Sequence, residues 1–367
     1  MEIVFVVYHD LKTEARSQEM LELLKMYGHV TLVSYCNTYP DPEIDVVCNK
    51  NESKGIFGFL KNAYKTIKKV KPQMVMLHDQ YPVVLVPFIK KTMPDCVIIH
   101  DSSELRLLTE EPGRLTLKKR VARLFMYAEH KYSKEADVTI AANRERAEIM
   151  KGYFSLPEMP IVFDNIHKIE VDYDLDVCRK KFDSFFDQDA FYVLYAGGIA
   201  EKRQTYKIVD EIGTLGNDYW LIIVGSVEID GEKKLQQLIS EKGISNVNYL
   251  GFVSREELKY LMEKSNVSIS TFAMDTVNNI NCASGKVYEG LFLGKPLLAG
   301  LNPPLKYLCE IHGVGVSTEN FGEGCRELKN NYITYCDNVK AFVEELNYED
   351  RIVTLKKQID AVLNNSK

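Results

Sequence analysis

One segment in the second half of the chain combines small residues, a lysine and a glutamate in a pattern that suits an anionic ligand. Ser284 and Gly285 open a stretch of helical periodicity, so they place unpaired backbone N–H groups at a helix N-terminus, where the helix dipole stabilises negative charge. Lys286 adds a positive charge, and Glu289 lies one turn further on the same face, where it can accept hydrogen bonds from vicinal hydroxyls such as those of ribose. The segment predicts a diphosphate site beside a hydroxyl-bearing group. A surface ion pair between Lys286 and Glu289 is the alternative interpretation.

Two more segments follow predicted strands and offer contacts for the same kind of ligand. Gly197 and Gly198 let a ligand approach the backbone, and Arg203 behind them can form a bidentate contact with phosphate, although a simple turn also fits the two glycines. The segment 250–258 begins a helix whose predicted N-cap is Ser254. A planar base can lie against the loop before that helix.

Histidine followed by aspartate comes directly after three predicted strands of the first half, at His9–Asp10, His78–Asp79 and His100–Asp101. Open parallel sheets bind ligands beyond the carboxyl ends of their strands, so we expect the three pairs to project toward one rim and form a polar wall. Imidazole and carboxylate also bind zinc or manganese, but no pair has a helical H-x-x-x-H partner, and we predict no bound metal. The alternative is that two of the pairs are turn or capping groups.

The elements that carry these residues alternate in type, which is typical of strand–helix units around a parallel sheet, and the alternation occurs twice. The predicted strands are 3–8, 30–35, 74–78, 97–100, 138–141 and 161–163 in the first half, and 191–196, 221–224, 247–250, 267–270, 297–299 and 314–317 in the second. The charged, aperiodic segment 167–189 separates the two sets.

We therefore predict an α/β protein of two Rossmann-like, doubly wound parallel-sheet domains that face each other across a cleft. The predicted N-terminal domain is 1–170 and the predicted C-terminal domain is 190–345. The segment 346–367 is helical in pattern, and we expect it to pack back on the N-terminal domain.

Composition excludes several classes of protein. A net charge of −6 argues against nucleic-acid binding as the main function, because contact with a phosphate backbone needs a surplus of Lys and Arg. The longest apolar runs, such as 83–89 and 220–224, are far shorter than the roughly 20 residues of a spanning helix. The first residues have no signal-peptide pattern, so we expect a cytoplasmic protein. The eight cysteines are scattered without a C-x-x-C pair and predict reduced thiols.

The motifs of both halves resemble, in order and spacing, those of retaining GT-B glycosyltransferases, and of glycosyltransferase family 4 in particular. The segments that carry the resemblance are 77–79, 97–105, 138–143, 197–203, Gly225, 250–258 and 284–296. The first three are similar to that family's HD, YDxHEL and ADxxIxxS motifs. The resemblance extends from residue 1 to about residue 317.

The resemblance implies transfer of a sugar from a nucleotide-sugar donor with retention of anomeric configuration and without a metal or other cofactor. Glu289 would hold the donor ribose, Arg203 and Lys286 the diphosphate, and backbone around Phe252 and Val253 the base. The implied donor-binding residues are Gly197, Gly198, Arg203, Gly225, Phe252, Val253, Ser284, Gly285, Lys286 and Glu289. A donor phosphate oxygen would take the acceptor proton, which leaves the N-terminal residues His78, Asp79, Asp101 and Glu104 to position the acceptor.

Three positions depart from the family's pattern. Gly198 stands where the family has an arginine, Asn281 replaces the first glutamate of its E-x7-E element, and Ser103 replaces the histidine of YDxHEL. Because neutralising the leaving diphosphate is the largest electrostatic demand of this chemistry, Arg203 and Lys286, with Lys202 or Arg16 as further candidates, would have to supply the charge. Two alternatives stay open: a non-catalytic, transferase-like partner subunit, and a GT-B sugar-nucleotide epimerase.

The expected acceptor is a glycan or a lipid-linked sugar in surface polysaccharide biosynthesis, and the expected location extends to the inner face of the membrane. An apolar stripe beside several lysines (Phe57, Leu60, Tyr64 and Ile67) indicates peripheral membrane contact, and so does the basic cluster of Lys118–Arg120 and Arg123. The alternative interpretation is an ordinary core-facing helix with one solvated side.

Overall fold

The computed structural model describes residues 1–11, 14–35, 39, 41–48, 55–108, 116–186, 188–228, 230–282 and 284–365. The chain forms two compact units, of which unit 1 comprises Met1–Asn165 and Tyr348–Lys367 and unit 2 comprises Ile166–Asn347. Each unit is built on a single parallel sheet with helices packed against it. The prediction of two Rossmann-like α/β domains is confirmed.

The sheet of unit 1 has the strand order β3-β2-β1-β4-β5-β6-β7. Its strands are β1 (Glu2–Val7), β2 (His29–Ser34), β3 (Ile44–Cys48), β4 (Met74–His78), β5 (Val97–Ser102), β6 (Val138–Ala141) and β7 (Ile161–Val162). β1 and β4 are continuously apolar because helices cover both faces of the sheet. β3 was absent from the predicted strands, because it lies at the sheet edge and is only partly buried.

The helices of the first part of unit 1 are α1 (Ala15–Lys25), α2 (Gly55–Val70), α3 (Val86–Thr92), α4 (Leu117–Tyr132) and α5 (Arg144–Tyr153). The apolar stripe predicted on α2 is only partly a surface feature, because Leu60 and Ile67 are buried in the core beneath the sheet. Phe57 is exposed and Tyr64 is half-buried. The side chain of Lys118 lies outside the part of the chain that the structure describes.

The sheet of unit 2 has the order β10-β9-β8-β11-β12-β13. Its strands are β8 (Phe191–Ala196), β9 (Tyr219–Val224), β10 (Val247–Tyr249), β11 (Val267–Ser270), β12 (Leu297–Ala299) and β13 (Gly315–Ser317). Its helices are α6 (Leu175–Phe182), α7 (Thr205–Gly213), α8 (Gly231–Lys242), α9 (Arg255–Lys264), α10 (Val277–Ile280), α11 (Gly285–Phe292), α12 (Pro303–His312), α13 (Phe321–Asn330) and α14 (Tyr332–Glu345). β8 pairs with β9 on one side and with β11 on the other, so the strand order reverses beside β8. Ligands of open α/β sheets bind at such a reversal.

The C-terminal helix α15 (Arg351–Asn365) packs against α1, β6 and β7 of unit 1. Leu355 and Ile359 are buried in the core there. The Tyr27 hydroxyl donates a hydrogen bond of 2.9 Å to Asp360, which adds a polar contact at the edge of the packed face. The last helix is therefore part of the first unit.

Two smaller predictions concern cysteines and membrane spans. Cys48, Cys96, Cys178, Cys282, Cys309, Cys325 and Cys336 are free thiols, as predicted, and Cys36 lies outside the described residues. Within the described ranges, no helix combines the length and the apolar character that a membrane span requires.

Candidate functional site

A cavity of about 320 Å³ lies in unit 2 at the carboxyl ends of β8 and β11. It is lined by residues of three kinds: apolar groups, small polar groups and charged side chains. The lining residues that matter for binding are Gly197, Gly198, Arg203, Arg255, Ser268, Thr271, Phe272, Ser284, Gly285, Lys286 and Glu289. The cavity therefore sits at the reversal of strand order, where the fold favours a ligand.

The first turn of α11 forms one side of this cavity. Ser284 is the N-cap residue and its side chain makes no capping hydrogen bond, so the hydroxyl is not committed to the helix. Lys286 Nζ lies 3.5 Å from the carbonyl oxygen of Ala196 at the end of β8. Burial lowers the pKa of the Lys286 ammonium, and the nearby Arg203 and Arg255 lower it further, against the opposing effect of Glu289. Arg203 and Arg255 thus repel the Lys286 ammonium, and an anion bound among the three groups would relieve that repulsion.

Glu289 is buried in the same cavity, with 4% of its surface exposed. Its Oε1 accepts a hydrogen bond of 2.9 Å from Arg255 Nη2, which crosses from the first residue of α9. Its Oε2 is buried and has no hydrogen-bond partner among the described residues. Because buried carboxylate oxygens are nearly always hydrogen-bonded, an unpartnered one in a cavity is a position for a ligand donor.

Arg203 is held at the rim of the cavity by an aromatic ring. Its guanidinium carbon lies 4.5 Å from the centroid of Phe272, which follows β11. The next residue, Gln204, has a left-handed backbone (φ 55°) and donates from Nε2 to Thr271 Oγ1 at 3.2 Å. The loops after β8 and β11 are therefore tied together across the mouth of the cavity.

The segments predicted to bind the donor are brought together only in part. Gly225, Phe252 and Val253 are not among the described residues that line the cavity. Phe252 is 84% exposed, whereas Val253 packs against a hydrophobic cluster on the α6–α9 side of the sheet. The predicted N-cap is confirmed: Ser254 caps α9, and the Glu257 side chain completes a capping box by accepting from the Ser254 amide. Its function in the structure is to begin the helix that carries Arg255.

Gly225 has a structural position rather than a place in the cavity lining. Its φ is +139°, and a Cβ atom added there would lie 1.9 Å from the carbonyl oxygen of Gly197. The amide of Gly225 donates to Gly251 O at 2.9 Å, and that of Gly197 donates to Val224 O at 3.0 Å. Gly225 thus allows the ends of β8, β9 and β10 to approach closely enough to shape one wall of the site.

Sequence patterns did not reveal several residues that shape the cavity. Arg255 lies in the segment 250–258, and the sequence pattern predicted no ligand contact for it. Asn302 is fully buried; its Oδ1 accepts from the amide of Phe272 at 3.1 Å and its Nδ2 donates to Asn279 O at 3.0 Å. Its signal was available, because Asn before Pro303 and Pro304 marks a helix start. Ser268 is a buried lining residue whose Oγ has no partner in the described part of the chain.

In unit 1, Arg16 and Asp101 form a fully buried ion pair below the carboxyl ends of β4 and β5. Arg16 donates from Nη2 to Asp101 Oδ1 at 2.6 Å and from Nη1 to Phe163 O at 2.6 Å. His78 Nδ1 lies 2.8 Å from Asp101 Oδ2. Although burial opposes ionisation, Arg16 and His78 hold the pKa of Asp101 well below its usual range. Burial favours the neutral form of His78 and by itself would lower the pKa of this imidazole. The nearby carboxylates of Asp79 and Asp101 outweigh that effect and raise the pKa to about 9.

His9, His78 and Asp79 present ligand-type atoms within 4.8 Å of one another. Ser17 Oγ lies 3.0 Å from His9 Nε2 and 3.3 Å from His78 Nε2, so both imidazoles already have a hydroxyl partner. Glu14 lies 3.6 Å from His9 and completes a polar cluster. The absence of a bound metal stays a prediction.

The expectation that all three His–Asp pairs project toward one rim is wrong for His100. Successive side chains of a strand point to opposite faces, so His100 and Asp101 of β5 separate. His100 is fully buried on the other face, 3.6 Å from Glu129 of α4, and burial lowers its pKa to about 4. His78 and Asp101 remain together, buried on the same face of the sheet.

Asp79 holds a loop in the structure. Its backbone is left-handed (φ 60°), and its Oδ1 accepts from the amide of Ser103 at 2.9 Å, from Ser103 Oγ at 2.7 Å and from the amide of Glu104 at 3.3 Å. Ser103 stands where the family has a histidine. Its amide and hydroxyl bind Asp79, and this contact fixes the loop after β5. Glu104 itself is exposed.

Residues 177–300 match the family model for glycosyl transferases group 1, and this range contains every lining residue from Leu194 to Glu289. No curated protein matches the sequence. The structure is similar to sucrose-phosphate synthase from Thermosynechococcus elongatus, with 13% identity, a TM-score of 0.73 and full coverage of both chains. It is also similar to Anabaena HepE in complex with UDP-glucose (17%, TM-score 0.69, full coverage of both chains). A third is WaaG, a glycosyltransferase involved in lipopolysaccharide biosynthesis (15%, TM-score 0.68, covering 97% of this chain and 99% of that one). At these identities the likeness establishes the fold, which is GT-B.

Proposed function

We propose that the protein is a glycosyltransferase that binds a nucleotide-sugar donor in the cavity of unit 2. The observation that carries this proposal is a cavity in which three cations, Arg203, Arg255 and Lys286, stand beside a buried glutamate with one unpartnered oxygen. A diphosphate matches the cations, and a ribose hydroxyl matches Glu289 Oε2. The match of residues 177–300 to glycosyl transferases group 1 supports the same conclusion.

The leaving group of such a reaction is the nucleoside diphosphate, whose oxygens gain negative charge as the bond to the sugar breaks. Lys286, Arg203 and the free amides at the start of α11 are placed to stabilise that charge. Losing one such donor costs about 3 kcal/mol of transition-state stabilisation in enzymes that depend on them. The arginine that the family has at Gly198 is missing, and Arg255 supplies a further positive charge in the same cavity.

We propose that the sugar is transferred with retention of anomeric configuration and without a metal. In this scheme a donor phosphate oxygen takes the proton of the acceptor hydroxyl as the sugar passes through an oxocarbenium-like state. UDP-sugars are the first donors to test, because HepE, of the same fold, has been solved with UDP-glucose.

The proposed acceptor is a glycan or a lipid-linked sugar, and the proposed setting is surface polysaccharide biosynthesis at the cytoplasmic face of a membrane. His78, Asp79, Asp101 and Glu104 are the proposed acceptor-positioning group at the carboxyl ends of β4 and β5, and His78 and Asp101 are buried there. The raised pKa of His78 keeps its imidazole protonated near neutral pH, and because its Nδ1 faces Asp101 and its Nε2 faces Ser17, we assign it a positioning role beneath the acceptor.

The test is a panel of nucleotide-sugars, read by thermal shift and by release of nucleoside diphosphate, with Glu289→Ala beside the wild type. Glu344→Ala, an exposed acid on α14, is the matched control for loss of one negative charge. We expect at least one donor to bind the wild type and the control, and Glu289→Ala to bind it at least about tenfold more weakly, because a hydrogen bond to a charged group is lost.

The same experiment separates the alternatives. A wild-type chain that binds none of the donors, or a Glu289→Ala variant that binds as well as the control, contradicts the proposed site. Binding without release of nucleoside diphosphate in the presence of any acceptor would favour the partner-subunit alternative. Donor consumption without acceptor, with the sugar C2 proton exchanging into D2O, would favour the epimerase.

A further inference from the structure

The sheet of unit 1 has its own reversal of strand order. β1 pairs with β2 on one side and with β4 on the other. Helix α1, which follows β1, shares a core with Phe5 on one face of the sheet, whereas α3, which follows β4, shares a core with Val6 on the opposite face. The chain therefore leaves the two strands toward opposite faces, and this opens a crevice at their carboxyl ends, where open α/β sheets bind ligands.

The side of this crevice next to α1 is polar. His9 comes shortly after β1, Glu14 is the N-cap of α1 and Asp79 follows β4, and their side chains are 29%, 31% and 24% exposed. His9 Nε2 lies 3.0 Å from Ser17 Oγ, so Nδ1 is the atom of this imidazole that a ligand can reach. Glu14 Oε2 accepts a hydrogen bond of 2.6 Å from the amide of Ser17 and lies 3.6 Å from His9 Nε2. A donor and two carboxylates thus converge on one side of the crevice.

These polar groups suit the hydroxyls of a sugar. Burial would raise the pKa of Glu14, but hydrogen bonds from His9 and Ser17 and the charge of His78 lower it to about 2, so Glu14 is ionised at neutral pH. An ionised carboxylate accepts hydrogen bonds from hydroxyl groups, and an imidazole N–H donates one. The carboxylates of Glu14 and Asp79 repel a phosphate or an acidic sugar, so this side of the crevice favours an uncharged ligand.

The other side of the crevice is aromatic. Tyr8 and Tyr35 directly follow β1 and β2, Tyr81 comes shortly after β4, and all three are half-buried. The ring centre of Tyr8 lies 5.2 Å from that of Tyr81 and 4.9 Å from that of Tyr35, whose hydroxyl donates to Tyr8 Oη at 3.2 Å. Beneath them, the buried rings of Phe59 and Phe125 lie 5.0 Å from Tyr8 and 5.2 Å from Tyr81. The tyrosine rings are therefore held in place before a ligand arrives.

We propose that the crevice at the carboxyl ends of β1 and β4 binds an uncharged sugar ring of the acceptor. A pyranose has an apolar face of C–H groups and a rim of hydroxyls, so it can pack on tyrosine rings while its hydroxyls bond to the polar side. An acyl or isoprenoid chain would match the tyrosines, but it would leave the polar groups without hydrogen-bond partners. The proposed ligand-binding residues are Tyr8, His9, Glu14, Asp79 and Tyr81.

The inference rests on the proposed function for the acceptor role of unit 1. It adds the class of sugar that is bound and the residues that recognise it. Because the crevice belongs to unit 1 alone, its ligand can be tested without any nucleotide.

The test is saturation-transfer NMR on the full chain with the methyl glycosides of glucose, galactose, mannose, N-acetylglucosamine and glucuronic acid. We expect at least one uncharged glycoside to bind, with the strongest transfer to the protons of one C–H face, and the glucuronide to bind at least about tenfold more weakly. Tyr81→Ala should weaken binding of the uncharged glycoside about tenfold, because the burial of its apolar face is lost, whereas Tyr81→Phe keeps the ring and should bind as the wild type does.

Glu14→Gln tests the polar side, because it removes the charge and keeps a side-chain oxygen for the helix cap. It should reduce the preference for the uncharged glycoside over the glucuronide to less than about threefold.

Tyr127→Ala, an exposed tyrosine on α4, is the control for loss of a tyrosine and should bind as the wild type does. The proposal is overturned if no uncharged glycoside binds, if the glucuronide binds as strongly in the wild type, or if Tyr81→Ala and Tyr127→Ala bind equally. Binding of UDP to the wild type, measured separately, reports on the cavity of unit 2, so a failure of the donor site is distinct from a failure here.

Discussion

The contact between Arg255 and Glu289 decides how the buried carboxylate is presented in the cavity. A glutamate on a helix has several rotamers, and the bond from Arg255 Nη2 to Oε1 restricts them. The second oxygen is left buried and without a partner among the described residues. Arg255 is half-exposed, so it acts as a positioning residue at the edge of the cavity.

Removing that contact should impair recognition of the ribose more than recognition of the phosphates. For Arg255→Ala we expect UDP to bind about tenfold more weakly, because a charge-assisted hydrogen bond that orients the carboxylate is lost. Calorimetry with UDP and 2′,3′-dideoxy-UDP measures this directly. The wild type should prefer the ribose form, and the variant should lose most of that preference.

Arg326→Ala, an exposed arginine on α13, controls for the change in charge. If Arg255→Ala keeps the wild-type ratio of affinities for the two nucleotides, Arg255 does not position Glu289.

At the scale of elements, the sheet of unit 2 depends on close approach of the chain ends of β8, β9 and β10. Gly225 lies where the left-handed backbone and the nearness of Gly197 O together exclude a side chain. Gly198, unlike Gly225, lines the cavity, and a Cβ atom added there would meet nothing within 4 Å. A substitution at Gly225 therefore tests the packing of the strand ends, and a substitution at Gly198 tests the shape of the cavity.

Gly225→Ala should lower the free energy of unfolding by at least about 2 kcal/mol, because the new methyl group clashes with backbone and the φ angle is strained. Gly198→Ala should change it by less than about 1 kcal/mol. Thermal melting of the two variants beside the wild type is the measurement. Equal melting temperatures for the two would show that the strand ends can relax.

The elements were largely predictable from the sequence, whereas the contacts that complete the site were not. Continuous apolar runs revealed β1 and β4 because both faces of those strands are covered, and the edge strand β3 escaped because its pattern is weak. The prediction that His100 and Asp101 project toward the same rim was wrong, because successive side chains of β5 point to opposite faces of the sheet. Arg255 and Glu289 are 34 residues apart, and no periodicity links them.

At the scale of the molecule, ion pairs with little solvent exposure link separate parts of the chain in unit 1. Arg16 on α1 contacts Asp101 on β5, and Arg351 on α15 contacts Glu19 on α1 at 3.2 Å. Both arginines also lie over the ring of Phe163. Breaking one partner of such a buried pair leaves an uncompensated charge, so the state of ionisation matters for the stability of the whole unit.

His78 makes this stability depend on pH. Its folded pKa of about 9 is above the unfolded value of about 6.5, so its contribution is fully present below pH about 6.5 and is lost as pH rises through about 9. The loss is on the order of 3 kcal/mol. Melting curves between pH 6.5 and 9.5 should show a decline for the wild type and a flatter profile for His78→Asn.

The comparison of the two pH profiles isolates His78 from other groups. Glu19, whose pKa burial raises to about 7, also titrates in the lower part of this window and is present in both proteins. Parallel profiles for the wild type and His78→Asn would contradict the assignment.

The packing of α15 on α1 and β6 has a consequence for how the protein is made. A ribosome synthesises residues 1–165 first, but their core lacks Leu355 and Ile359 until more than 180 further residues have been translated. Unit 2 is a continuous segment and can fold in the meantime. Nascent unit 1 therefore waits with an uncovered apolar surface, a state that chaperones bind, and it is completed after the unit that follows it in the sequence.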